Sequence, residues 1–499
     1  MTPHAHDQII VLANRQPFRH DYDASGRIVV RHAAAGVVHA VEPLLTATSG
    51  VWVGHGAGSA DRAVVDRRDG VAVPPGNPSY RLRRVWLSEA EERGYYDGFA
   101  NGGLWPLCHR AFVKPVFRSG DFAAYSAVNA RFAGAVAEEA AADAPLVLVQ
   151  DYHFALAPRM IRALVPGAVV ATFWHIPWPH GDDLAMCPWR DELLDGLLGS
   201  DLIGFQTPQD AANFLETVDG LLAVDVDRNA RLVAHRGRSI WIRDYPASIE
   251  WPAHCGDRVP AADECRAAVQ RAMRLPPDVK LGVGVDRMDY TKGLEEKVVA
   301  IEHLLERDPT LRHSFAFVQL AQPTRVRLAA YREFHARLEA AVNRVNRRFE
   351  GPVWPAITLL ERDHTPEDVF RWLRAADFCY VGSLHDGMNL VSKEFVSARS
   401  DERGVLVLSR FAGAASELRD ALIVNPFDME ETAGAMARAL AMDPHEQRRR
   451  MRAMRTAVAL GSARHWAELI LADATRIRNR RDTTAAPGRD SHEICVAGR

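Results

Sequence analysis

Short, continuous apolar runs that alternate with amphipathic stretches constrain this chain more than any other feature of its sequence. The runs are IIVLAN (9–14), PLVLVQDY (145–152), VVATFWHIP (169–177), DLIGFQT (201–207), LGVGVD (281–286), FAFVQLA (315–321), DFCYVGS (377–383) and GVLVLS (404–409). They are too short for buried helices, rich in β-branched residues, and lack the in–out alternation of a strand with one wet face. Strands of this kind bury both faces, which requires a parallel sheet covered by helices on each side. The segments between them carry the helical period: in 292–309, Val298, Ile301, Leu304 and Leu305 recur beside charged neighbours. The pattern predicts an α/β protein with doubly wound sheets.

Between the fourth and fifth runs the periodicity lapses, and prolines at 246, 252 and 260 interrupt any regular element. A chain of 499 residues is long enough for two large α/β domains, each of up to about 250 residues. The sequence therefore predicts a Rossmann-like N-terminal domain over 1–245 and a second over 246–460. A helix over 461–480 is expected to pack back on the first domain, and 481–499, which lacks a hydrophobic pattern, is expected to be a disordered tail. Two such domains place the carboxyl ends of their strands around a shared cleft, the usual ligand position in these sheets.

Charge narrows the partners. Lys plus Arg number 61 against 64 Asp plus Glu, a net charge of −3, so no global attraction to nucleic acid or membrane is expected and an anion site must be local. The apolar runs fall far short of the roughly 18 residues of a spanning helix. The start, MTPHAHDQIIVLANR, has no basic region followed by an apolar stretch and a cleavage site, so a cytoplasmic location is expected. Cysteines at 108, 187, 255, 265, 379 and 495 lack CxxC spacing and suggest neither a zinc knuckle nor a redox pair.

Several motifs fall where strands end. In GVGVDRMDYTKGLEEK (282–297), Arg287 closes a buried strand and Lys292 follows at a helix start. Two cations beside helix N-terminal amides make a diphosphate site, with Arg gripping oxygens bidentately and Lys supplying a point charge. Spacing alone also allows Arg287 a plain salt bridge to Asp286 or Asp289. In SLHDGMNLVSKEFV (383–396) a Gly-containing turn precedes a helix beginning near Leu390, with Asp386 placed to accept from sugar hydroxyls and Glu394 to take a ribose diol; an N-cap role for Asp386 is the simpler alternative. Asp151, His153 and His175 converge on one sheet edge in the first half. Hydroxyl recognition suits them better than a metal, which is not expected. Arg15, Tyr96, Trp105 and Arg325 suggest a second anion flanked by aromatic rings.

In combination, NRxP, LWPL, QDYHFALAP, HIPWP, DLIGFQT, VDRMDYTKG, PTR, HDGMNLVSKE and FAGAASEL resemble, in order and over about residues 8–475, the trehalose-6-phosphate synthase family of retaining GT-B glycosyltransferases. This family also includes glucosylglycerol-phosphate synthases and validamine-type pseudo-glycosyltransferases. The resemblance implies two Rossmann-like domains facing each other across a cleft. It implies transfer of glucose from UDP-glucose, or another NDP-glucose, to glucose 6-phosphate with retention and without a metal or other cofactor. Small-molecule substrates are then the partners, and a homo-oligomer is left open. By this resemblance Arg15, Tyr96, Trp105, Asp151 and Arg325 hold the sugar phosphate. Gly36, His175, Arg287, Lys292, Asp386, Glu394 and the turn Gly387, Met388, Asn389, Leu390, Val391 hold the donor. Asp151, His175, Arg287, Lys292 and Asp386 form the catalytic set. The early Gly-Gly-Leu turn of the family stands here as Ala35-Gly36-Val37, and 51–70 also departs from the family pattern, which keeps the glucosylglycerol and cyclitol branches open. A non-catalytic sugar-phosphate sensor would lack the Arg287 and Lys292 pair, and a pyridoxal-phosphate phosphorylase would need a Schiff-base lysine motif that is not apparent.

Overall fold

The structure, a computed structural model, describes residues 8–32, 36–253, 255–349 and 354–485. The first apolar run forms the strand Ile9–Leu12, buried throughout, with Leu146–Gln150 parallel on one side and Val51–His55 parallel on the other. Ile10 lies opposite Val51 and Val147, and none of the three is more than 6% exposed. Burying one such side chain contributes about 1.5–3 kcal/mol, so a carboxylate at position 10 would break this half of the protein.

The resulting ten-stranded sheet runs parallel from Arg238–Asp244 through Leu202–Phe205, Val169–Phe173, Leu146–Gln150, Ile9–Leu12 and Val51–His55 to Tyr80–Val85, with antiparallel strands finishing both edges. A second sheet has six parallel strands in the order Ile357–Glu361, Phe315–Gln322, Lys280–Arg287, Phe378–Val381, Val405–Ser409, Leu422–Val424. The expected α/β architecture of two facing Rossmann-like sheets is present. The run-based reading misses the hairpin Phe18–Tyr22/Ile28–His32, the first-sheet strands Val51–His55, Gly70–Val73, Tyr80–Val85, Asp225–Asp227, Leu232–His235 and Arg238–Asp244, and the second-sheet strands Ile357–Glu361 and Leu422–Val424; most of these are partly exposed or carry charges, whereas Val51–His55 is buried but short.

Each sheet reverses its strand order once: between Leu146–Gln150 and Ile9–Leu12 in the first, and between Lys280–Arg287 and Phe378–Val381 in the second. Loops leaving the carboxyl ends of strands at such a reversal diverge to opposite faces and open a crevice. In the second sheet the helix foreseen from Lys292 starts later, as Leu294–Arg307, after a 3-10 turn at Tyr290–Lys292. Gly293 between them has φ +64°, and a Cβ there would stand 2.1 Å from the carbonyl oxygen of Gly382, so only glycine fits this corner.

The C-terminal helix Ala463–Ala485 crosses back to the first sheet. It packs on the helix Gly36–Thr48 and on Val169–Phe173, with Trp466 edge-on to Phe173 and the Tyr245 hydroxyl donating to Asp473. The tail expected over 481–499 is helical at its start, because Arg481 is anchored by Asp201 and the Ala168 carbonyl and carries the helix to Ala485. Positions 486–499 lie outside the described residues. Among the described residues no helix is long and apolar enough to cross a membrane, and the five cysteines are buried free thiols.

Candidate active site

The two reversals face each other across a cleft of about 440 Å³. From the first sheet and its loops the lining takes Arg15, Tyr96, Trp105, Asp151, His153 and His175; from the second it takes Arg287, Lys292, Arg325, Asp386, Met388, Asn389, Leu390 and Val391. Three residues named from the sequence stand outside this lining. Gly36 opens the helix Gly36–Thr48, while Ala35 lies outside the described residues. Gly387 packs behind the cleft against the His175 backbone. Glu394 sits one turn into the helix Leu390–Ala398, where burial pushes its carboxyl up to about 7.

Cations dominate the second-sheet wall. Lys292 Nζ lies 2.5 Å from Asp386 Oδ2, which also accepts from Ser383 and Asn389. Burial opposes charge on Asp386, but the Lys292 ammonium outweighs it and holds the carboxyl below its ordinary range. The N-cap of the helix Leu390–Ala398 is Asn389, whose side chain accepts from the Ser392 amide, so the N-cap alternative for Asp386 does not hold. The simple salt bridge for Arg287 fares little better. Lys297 and Gln319 hold the Asp286 carboxylate, and Asp289 sits 3.9 Å from Arg287 but 2.9 Å from Arg325.

Arg325 is the hub of the wall. It takes φ +48°, donates to Asp289, to the Tyr331 hydroxyl and, across the cleft, to the Tyr152 hydroxyl, and stacks 3.9 Å from the centre of the Trp105 ring. Arg287 lies 5.1 Å from that same ring. Trp105, expected to flank a sugar, is only 5% exposed; its ring is a shelf that carries two guanidinium groups.

On the opposite wall Asp151, with φ +76°, ends the strand Leu146–Gln150 and accepts from the backbone amides of Tyr152 and His175. Burial nevertheless pushes its carboxyl up to about 6. His175, partly buried and within 2.9 Å of the Gln150 side-chain oxygen, is lowered by desolvation to about 3 and stays neutral at pH 7. Tyr96 stacks on His153 with ring centres 5.6 Å apart. Burial resists ionisation of Tyr96, but Arg325, Arg15 and Arg287 outweigh it and lower its phenol. Burial and the same arginines drive the His153 imidazole well below its usual value. Tyr96 and His153 thus register the positive potential that arginines from both walls impose on the cleft.

Sequence reasoning did not single out His109, Tyr152, Asp289 or Trp466. Tyr96 belongs to a π-helix over Arg93–Leu104, with Trp105 and His109 in the α-helical turn Trp105–His109 that continues it; π geometry is rare and clusters at functional sites. Its register is held where the Tyr152 hydroxyl donates to Asn101 and Asn101 donates to the Tyr96 carbonyl. The YHF tripeptide after Asp151 and the D-Y-T-K spacing after Arg287 were the available signals for Tyr152 and Asp289. Among the described residues no group of three or more His, Cys, Asp or Glu is disposed to hold a metal ion.

Comparison with known proteins agrees with this geometry. The profile of glycosyltransferase family 20 matches residues 7–476. A trehalose-6-phosphate synthase of Mycobacterium sp. (strain KMS) is 38% identical over 473 residues, 93% of this chain and 94% of that protein. A solved E. coli structure bound with UDP-2-fluoro glucose superposes with a TM-score of 0.83 at 29% identity, covering 94% of this chain and 99% of that one. A UDP-forming α,α-trehalose-phosphate synthase from Burkholderia xenovorans, solved in complex with glucose-6-phosphate, gives 0.81 at 31% identity, covering 94% and 100%.

Proposed function

The chain belongs to glycosyltransferase family 20, and from that premise we propose that it moves glucose from UDP-glucose onto the anomeric hydroxyl of glucose 6-phosphate with retention, giving α,α-trehalose 6-phosphate. One observation carries the reading: Arg15, Arg287, Lys292 and Arg325 converge on a single cleft between two strand-order reversals. Two doubly charged ligands, a nucleoside diphosphate sugar and a sugar phosphate, suit such a site.

In this reading Arg287 and Lys292 take the donor diphosphate. As the glycosidic bond breaks, charge grows on the β-phosphate oxygen, and two fixed cations in a water-poor cleft stabilise it more than they stabilise the ground state. This is the service a divalent ion gives elsewhere, so turnover is expected to need none. Lys292 exchanges its Asp386 partner for phosphate oxygens, and Asp386 then accepts from glucose hydroxyls beside the backbone of Met388 to Val391. Arg15, Arg325 and Tyr96 hold the acceptor phosphate, and Asp151 fixes the acceptor sugar. Attack and departure occur on one face of the donor ring, with the leaving phosphate oxygen receiving the acceptor's proton. The protein contributes positioning and charge neutralisation, with no covalent nucleophile. The cytoplasm is where we place the reaction.

A matrix of UDP-, ADP- and GDP-glucose against glucose 6-phosphate, glucose and glycerol 3-phosphate tests the reading. Preferential transfer from UDP-glucose to glucose 6-phosphate is expected. Preference for glycerol 3-phosphate, or absence of glucosyl transfer with any pair, would overturn it.

A further inference from the structure

His109 is the last residue of the short helix Trp105–His109 and lines the cleft, although it is only 1% exposed. Two contacts hold its ring still. It packs against Trp105 with centres 3.9 Å apart and the ring planes tilted by 31°, and Nδ1 lies 2.9 Å from the Trp105 carbonyl oxygen. A carbonyl only accepts, so Nδ1 carries the proton and Nε2 presents a lone pair. Nε2 is buried and has no hydrogen-bond partner among the described residues. Its own carbonyl is contacted by His385 Nδ1 at 3.1 Å, which ties this segment to the second-sheet half.

A buried acceptor without a donor is unfavourable, so it calls for a group that fills it. Among charged groups, Lys292, Asp386 and Asp289 act most strongly on this imidazole. The Lys292 ammonium is already paired with Asp386 at 2.5 Å, and carboxylates and phosphates at neutral pH have no proton to give. A ligand hydroxyl does. We propose that His109 Nε2 accepts a hydrogen bond from one hydroxyl of the transferred glucose, making it a donor-sugar specificity residue at the seam between the Trp105 shelf and the Lys292–Asp386 pair. The inference rests on the glucosyl-transfer reading given above. The column of His109, Trp105 and Arg325, spaced by 3.9 Å at each step, then links the donor sugar to the arginine assigned to the acceptor phosphate.

The test combines His109→Phe, which keeps a flat ring and removes the lone pair, with UDP-glucose, its 2-, 3-, 4- and 6-deoxyglucose analogues, and UDP alone. Wild-type enzyme is expected to lose about tenfold or more in kcat/KM with one of the deoxy donors. His109→Phe is expected to lose about tenfold with intact UDP-glucose, to lose less than about twofold more with that same deoxy donor, and to bind UDP within about twofold of wild type. Additive losses with all four analogues, or a fall in UDP affinity equal to the fall for UDP-glucose, would overturn the assignment. His109→Gln keeps an acceptor oxygen and should recover part of the loss; a Gln variant as poor as Phe, or poorer, also overturns it. Wild-type enzyme that transfers no glucose at all would instead sink the reading on which the inference stands.

Discussion

Gly387 and His175 meet behind the cleft so closely that a Cβ on Gly387 would stand 2.3 Å from the His175 carbonyl oxygen. His175 follows the strand Val169–Phe173 of one sheet and Gly387 follows Phe378–Val381 of the other, so this contact sets the distance between donor and acceptor walls.

Gly387→Ala is therefore expected to wedge the halves apart. Gly413 also crowds this segment: a Cβ on Gly413 would lie 2.0 Å from the Gly387 carbonyl oxygen. Overpacking of this kind costs about 1–3 kcal/mol. Thermal unfolding should report that loss, and kcat/KM should fall by more than about tenfold because catalysis depends on sub-ångström placement. Wild-type turnover in the variant would show that the halves adjust without loss.

Arg287→Ala and Lys292→Ala should each lower kcat by about 10² to 10³, the effect of removing one preorganised charge stabiliser. Activity of the unaltered enzyme should survive excess EDTA. Near-normal kcat in both variants, or a strict requirement for a divalent ion, would contradict leaving-group stabilisation by these two cations.

Asp151 governs an acid limb. Its carboxyl lies near 6, against an ordinary 3.8, so between those values the folded chain holds a proton that the unfolded chain has released. Its contribution to stability accordingly declines as pH rises through that window, and Asp151→Asn should flatten that decline. Acceptor binding by the carboxylate should give kcat/KM a limb near pH 6 that Asp151→Asn removes while lowering the plateau. Persistence of the limb in that variant and its disappearance in Glu394→Gln, whose carboxyl lies near 7, would reassign it.

Arg325 and Asp289 form a buried ion pair at 2.9 Å. Removing the guanidinium strands the carboxylate, at a cost of about 3–5 kcal/mol. Burial opposes charge on Asp289, but Arg325 leads the cations that depress it to about 2. A depressed carboxyl contributes stability above its unfolded value of 3.8 and loses it as pH falls toward 2. Arg325→Ala should thus melt well below wild type at pH 7, with the gap closing in acid, and its preference for glucose 6-phosphate over glucose should narrow. A melting gap independent of pH down to 2 would exclude the ion pair as its cause.

Periodicity and punctuation determined the α/β class and its division into two halves. Doubly buried strands such as Ile9–Leu12 and Phe378–Val381 read as parallel because uninterrupted apolar runs cannot leave a face wet, and most of the cleft residues could be named because function in such sheets collects where strands end, as at Arg15, Asp151, Arg287 and Asp386. Only the tertiary structure decided what those residues do to one another. Local pattern carries no trace of π-helical register, so it could not turn Trp105 inward as a shelf for Arg287 and Arg325 or leave His109 with a lone pair that none of the described residues fills. The Asp289–Arg325 pair joins separate loops, and the Gly387–His175 contact exists only once the two sheets face each other. Such relationships depend on distances between segments far apart in the chain, and those distances are set by packing.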